Sequence, residues 1–290
     1  MTYRANELFG KFTNGKTFPD VSQDLITQPC PYRKENVCFK NRKSSPEIKI
    51  GTCSAYVLQR DTAPSIICPY RMTENNRIFN DCLSMIDTTG TDLYLIPELY
   101  TEAGNIDYVL ASIQDDSVID FVGIEIQTLD TTGSIWPYRQ EMLIENGYSV
   151  EMPVRTSKMS FGSNKKMSGK TILAQMVQKV ELFSNIGKSI VLVIQDSFLD
   201  CMKNDFDFSR IHQARQRDTV HFHSYSFVEN NDSMHIKFEN AESMSATDFE
   251  NIMGMNSLDD DSIQIINSRI LSRVCDEYRY SPVINQATLL

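Results

Sequence analysis

Between residues 78 and 205 the apolar positions recur at regular spacings. From Arg77 to Thr88 they fall at Ile78, Phe79, Cys82, Leu83 and Ile86, which predicts a helix. "DLYLIPEL" reads as extended chain. "IDYVLASIQ" and "DFVGIEIQTL" read as two strands joined by the hairpin-like "DDSVID". "SGKTILAQMVQKVELFSNIG" predicts a helix with Ile172, Met176, Val180 and Phe183 on one face, capped by Ser168 and ended by Gly187. "KSIVLVIQDSFLDCM" predicts a buried strand running into a short helix. This order predicts an α/β fold, a mixed sheet flanked by helices.

Outside that stretch the pattern weakens. "TVHFHSYSFV" and "SMHIKFEN" predict strands, and "ATDFENIMGM" and "DSIQIINSRILSRVCDEY" predict helices. The first 80 residues show neither period, are rich in Pro, Lys, Arg and Cys, and contain "CPYR" twice, at Cys30 and Cys68. Three regions are therefore expected: 1–77 irregular, 78–205 the core, and 206–290 an extension that completes it and carries an acidic segment.

Charge sharpens this outline. The net charge is −10, but Glu229 to Asp261 holds nine acidic residues against one lysine, so the rest is close to neutral. Within that rest, Arg33, Lys34, Lys40, Arg42, Lys43 and Lys49 face only two glutamates. Further basic stretches run from Lys158 to Lys170 and through Arg210, Arg215 and Arg217. A basic face is thus compatible with the overall balance, although strong sequence-independent nucleic-acid binding is disfavoured. No stretch of eighteen apolar residues predicts a membrane span, and the start "MTYRANELFGKFTNG" lacks the apolar segment of a signal peptide. A soluble cytoplasmic location is expected.

Candidate chemistry lies in the paired strands. Glu125 and Gln127 sit two apart in one strand, so they point to the same face about 7 Å apart. Asp107, in the strand before, reaches that face if the two strands pair. Two carboxylates and an amide oxygen at a sheet edge form a hard-cation site suited to Mg²⁺, which serves phosphodiester hydrolysis. A strand with one polar face meeting water is the plainer alternative. The arrangement resembles the PD-(D/E)XK nuclease core, with Asp107 at the Asp position, Glu125 at the Asp/Glu position and Gln127 where lysine is usual. Glu98 is a candidate metal-water or supporting ligand, and Glu102 a weaker one. Gln175 and Lys179, four apart on the predicted helix, share a face and are candidates to position phosphate.

Cys30, Cys38, Cys53 and Cys68 are spaced C-x7-C-x14-C-x14-C, without the paired knuckles of a zinc finger. In a segment short of core, four thiols point to a structural metal, tetrahedral zinc or a mononuclear iron. Cys82, Cys201 and Cys275 read as core.

Taken together, "QPCPYR", "GTCS", "ICPYR", "GNIDYVLAS", "FVGIEIQTLDTTGS" and "KMSGKTILAQMVQK" resemble a NotI-type restriction endonuclease over about residues 25 to 200. The resemblance implies a PD-(D/E)XK fold, a homodimer, and Mg²⁺-dependent cleavage of double-stranded DNA at a short palindrome. It further implies iron on Cys30, Cys38, Cys53 and Cys68, with zinc as the alternative, and a cognate DNA methyltransferase as partner. Competing readings are a metal-stapled DNA binder that does not cut, a nuclease of repair or defence without a fixed sequence, and an acidic globular protein with a structural metal.

Overall fold

The computed structural model describes residues 4–57, 63–115, 117–131, 133–152 and 161–252. The chain opens with strands β1 (Arg4–Leu8) and β2 (Lys11–Phe12), helix α1 (Ser22–Thr27), and strands β3 (Asn41–Arg42), β4 (Ser45–Lys49), β5 (Thr52–Tyr56) and β6 (Ser65–Ile66). A 3₁₀ segment, Pro69–Asn76, leads into α2 (Arg77–Asp81). Then come β7 (Asp92–Thr101), β8 (Gly104–Gln114), β9 (Ser117–Gln127), α3 (Trp136–Glu145), α4 (Lys165–Asn185), β10 (Ile190–Gln195) and α5 (Asp196–Asp205). The described part closes with β11 (His212–Gln213), β12 (Val220–Asn230), β13 (Ser233–Met244) and α6 (Ala246–Ile252).

The central sheet has seven strands in the order β11-β13-β12-β10-β9-β8-β7. β10 runs parallel to both β9 and β12, and the outer pairs are antiparallel. β10, "IVLVIQ", is buried on both faces, as an uninterrupted apolar run predicts. Alternation then sorts the core into two layers. Leu192, Ile194, Val109 and Phe222 pack against Leu173, Met176, Val180 and Phe183 of α4. Val191, Val193, Ile124, Leu110 and Tyr225 pack on the other side against Met72, Ile78 and Phe79. The α/β expectation holds.

Several boundaries move. The helix expected over Arg77–Thr88 stops at Asp81 and continues as a 3₁₀ turn, Leu83–Met85. β9 begins at Ser117, so only residues 115 and 116 separate it from β8, with Asp115 left-handed. Helix α4 is capped by Asn164, whose side chain accepts the Met167 N–H at 3.0 Å. Ser168 is instead buried within the helix.

The N-terminal region is not irregular. β2, β1, β5 and β6 form a four-stranded sheet, whose buried positions include the polar Asn6, Glu7, Thr52 and Ser54. Short strands with polar interiors carry no apolar alternation, which is why their period is invisible in the sequence.

The acidic segment, as far as Ile252, takes up the strand and the helix expected there. It is the end of β12, all of β13 and α6. Its carboxylates are partly matched: Glu242 with Lys203, and Asp248 with Arg210 at 2.8 Å. The helix expected over 261–278 and Cys275 lie outside the described residues.

Candidate active site

β8 and β9 do pair, with Tyr108 opposite Ile124 and Val109 opposite Gly123. Alternation then turns Asp107, Glu125 and Gln127 to the α4 side of the sheet. Where the regular ladder ends, side chains take over its hydrogen bonding. Asp107 Oδ2 accepts the Ile126 N–H at 2.8 Å, and the Asp107 N–H is directed at the Glu125 carboxylate. The two carboxylates are therefore held crosswise by each other's strands.

Glu125 is nearly inaccessible, at 2% exposure. Lys179 reaches it from α4, Nζ to Oε1 at 2.7 Å. Burial, followed by the negative charge of Asp107, pushes the Glu125 carboxyl up to about 7, against the pull of Lys179. Asp107 is also raised, by burial first, with the Ile126 N–H and Lys179 opposing and Glu98 adding to the rise. Two desolvated carboxylates, both raised by burial and matched among the described residues by the one ammonium of Lys179, form a site short of positive charge. That is the electrostatic condition for a cation.

Glu98 stands across from this pair. Pro97 lies opposite Tyr108 and Leu99 opposite Ile106, which puts Glu98 level with Asp107. Its φ is +51°, left-handed in the middle of a strand. Such a conformation costs a non-glycine residue roughly 1–2 kcal/mol.

The other candidates separate. Gln127 shares the face of Glu125 and lies level with Ile194. Among the described residues no side-chain hydrogen bond joins it to either carboxylate. Lys179 is engaged, whereas Gln175, one turn away, is exposed to solvent. Glu102 is exposed in the β7–β8 turn.

Sequence reasoning passes over Gly123. A Cβ there would come within 2.5 Å of the Phe183 ring. Its absence lets α4 lie close on β9, and Lys179 is one turn before Phe183 on the same face. The signal was present as a lone glycine within a strand pattern.

The four cysteines come from separate segments, and Cys30, Cys53 and Cys68 each feel at least one of the others. Burial raises all three of Cys30, Cys53 and Cys68, the last to about 11. Cys38 adds to the rise at Cys30 and Cys68, and Cys68 does so at Cys53. The two Cys-Pro-Tyr-Arg repeats fold alike: N–H groups of Tyr32 and Arg33 are directed at the Cys30 sulfur, and those of Tyr70 and Arg71 at Cys68. Donors aimed at sulfur favour thiolate, and neighbouring thiolates favour a soft cation between them. By donor type alone, four such thiols suit iron or zinc. As the side chains stand, no group of three or more His, Cys, Asp or Glu among the described residues is placed to hold a metal ion, here or at the Asp107–Glu125 pair. Cys82 is fully buried in the core and Cys201 packs partly against it.

The basic stretch divides too. Arg42 is paired with Glu151, Nη1 to Oε2 at 2.6 Å, and stacks on Trp136. Lys43 is exposed. No helix among the described residues is long and apolar enough to cross a membrane.

The family model of restriction endonuclease NotI matches residues 21–238. No curated protein matches the chain. The matched span takes in the four cysteines, β7 to β9 with their carboxylates, and α4 with Lys179.

Proposed function

The chain belongs to the NotI restriction endonuclease family, and from that premise we propose that it hydrolyses phosphodiester bonds of double-stranded DNA at a short palindromic site, with Mg²⁺. The observation that carries the metal dependence is the buried pair Asp107–Glu125, on neighbouring strands and one face, with a single ammonium beside it.

Asp107 and Glu125 would hold the ion, and Glu98, level with Asp107 on the next strand, would reach it through a metal-bound water. Bound there, Mg²⁺ supplies charge for the phosphate and acidifies water. The protein supplies orientation. The Ile126 N–H fixes one oxygen of Asp107, and Lys179 fixes one oxygen of Glu125. Without the ion the Glu125 carboxyl is raised to about 7, so taking up Mg²⁺ would be coupled to loss of its proton. Lys179 supplies the positive charge that Gln127 lacks. It does so from a helix and not from the strand, where the PD-(D/E)XK pattern places its lysine. Gln127 is left to position water or metal through its amide.

The four cysteines would hold iron, or zinc, as a structural staple for the N-terminal region. Two copies related by a two-fold axis would match a palindrome and cut both strands. In the cytoplasm a cognate methyltransferase would protect the host's own sites.

Digestion of a sequenced DNA with Mg²⁺ and mapping of the ends tests this reading. Sharp fragments with a common end sequence are expected. A smear would indicate a nuclease without a fixed site. Retarded but uncut DNA would indicate a binder.

A further inference from the structure

The repeated Cys-Pro-Tyr-Arg segments interlock. Arg71 of the second repeat stacks over Tyr32 of the first at 4.8 Å, and Arg33 of the first stacks over Tyr70 of the second, also at 4.8 Å. Each arginine thus lies on the other repeat's tyrosine. Two equivalent arginines then meet very different surroundings.

Arg71 is fully buried and saturated. Its Nε reaches Glu7 at 2.9 Å, its Nη1 reaches Glu74 at 3.0 Å, and its Nη2 donates to the Met234 carbonyl. It locks the cysteine segment to the central sheet. Arg33 keeps about a fifth of its side chain exposed. One nitrogen donates to the Val37 carbonyl at 3.0 Å, and another meets Glu35 at 3.2 Å. Glu35 is itself 62% exposed, so this pair is a weak surface one. The enclosed Nε has no acceptor. Aromatic rings of Tyr70 and Phe39 hold the guanidinium plane without spending its donors.

Its position matters. Arg33 lies on Tyr70, whose 3₁₀ segment packs Met72 into the core layer opposite α4, and just before that segment the Ile66 carbonyl accepts the Leu129 N–H at 3.2 Å, beside the end of β9 that carries Glu125 and Gln127. Tyr108 packs with the core layer opposite α4, whereas Lys179 approaches from α4. The carboxylate edge is therefore flanked by a cation on each side of the sheet. A polyanion crossing this edge passes from one to the other.

We propose that Arg33 is a positioning residue that takes a DNA phosphate on the side of the carboxylate edge away from Lys179, Glu35 giving way to it. This rests on the nuclease reading above, and it assigns the two arginines of the repeat separate duties: Arg71 anchors the segment and Arg33 meets the substrate. A phosphate contact carries no sequence information, so it fixes register and leaves base choice to other groups.

The test is DNA binding measured against salt, with Ca²⁺ in place of Mg²⁺ to suppress cutting, on a short duplex carrying the mapped site. Arg33→Gln should weaken binding equally on specific and unrelated duplexes and make the slope of log K against log salt shallower by about one. Arg33→Lys should keep the wild-type slope, and Glu35→Gln should tighten binding. A wild-type slope for Arg33→Gln overturns the assignment. Should that variant fail to fold, wild-type affinity for Glu35→Gln overturns it instead. Failure of the wild-type protein to cut any DNA would count against the nuclease reading itself, a different result from normal cutting with an unchanged slope.

Discussion

The ammonium of Lys179 lies 2.7 Å from the carboxylate of Glu125, bridging helix α4 to strand β9 across 54 residues of chain. This contact places a cation at a pair of carboxylates whose strand lacks one. It couples the helix packing, the sheet register and the charge state of the site.

Asp107→Ala and Glu125→Ala should each lower cleavage by at least about a hundredfold, the scale of losing a group used in the transition state. Binding of the same duplex in Ca²⁺ should stay within a few fold, because neither carboxylate attracts phosphate directly. A parallel loss of binding and of folded signal would contradict this assignment.

The raised Glu125 carboxyl predicts a pH limb. The carboxylate must be ionised to hold a cation, so at subsaturating Mg²⁺ the rate should climb with pH through about 7. Lys179 favours the ionised form, so Lys179→Met should push that limb to higher pH as well as lower the rate. An unmoved limb would show that Glu125 is not the titrating group.

The same shift has a consequence for stability. Glu125 has a folded pKa near 7, above its ordinary value of 4.5. Its contribution to metal-free stability is therefore complete below about 4.5 and lost as pH rises through about 7. Mg²⁺ binds the ionised pair, so its stabilising effect should be larger at pH 8 than at pH 6. Thermal melts with and without Mg²⁺ at both values measure this.

Gly123→Ala should drive a methyl group into Phe183 and cost about 1–3 kcal/mol. It should also lift α4 from β9 and lengthen the Lys179–Glu125 contact. Cleavage should fall more than the loss of stability explains, read as rate per folded molecule after a urea titration. Unchanged activity in a folded variant would separate helix packing from the site.

Cys38→Ser should lower bound iron or zinc per chain and destabilise the N-terminal region, while Arg71→Met should cost about 3–5 kcal/mol by leaving the buried Glu7 without its cation. Elemental analysis and denaturant unfolding distinguish the two: Arg71→Met should unfold more easily without losing its capacity for metal. Full metal content in Cys38→Ser would remove Cys38 from the ligand set.

The local chemistry of this protein was written in its sequence. Period-two alternation placed Glu125 and Gln127 on one face, an uninterrupted apolar run announced β10 as a buried strand, and helical spacing drew the apolar face of α4. Those features depend on near neighbours in the chain, so the residues alone disclose them. Tertiary structure decided the rest. It put Lys179 on Glu125 but left Gln175 in solvent, gave the cap of α4 to Asn164, built a sheet from N-terminal strands with polar interiors, and turned one arginine of a repeated motif inward and its counterpart outward. Each of these outcomes is set by contacts between residues far apart in the chain, whose energies depend on packing distance and burial that no local pattern encodes.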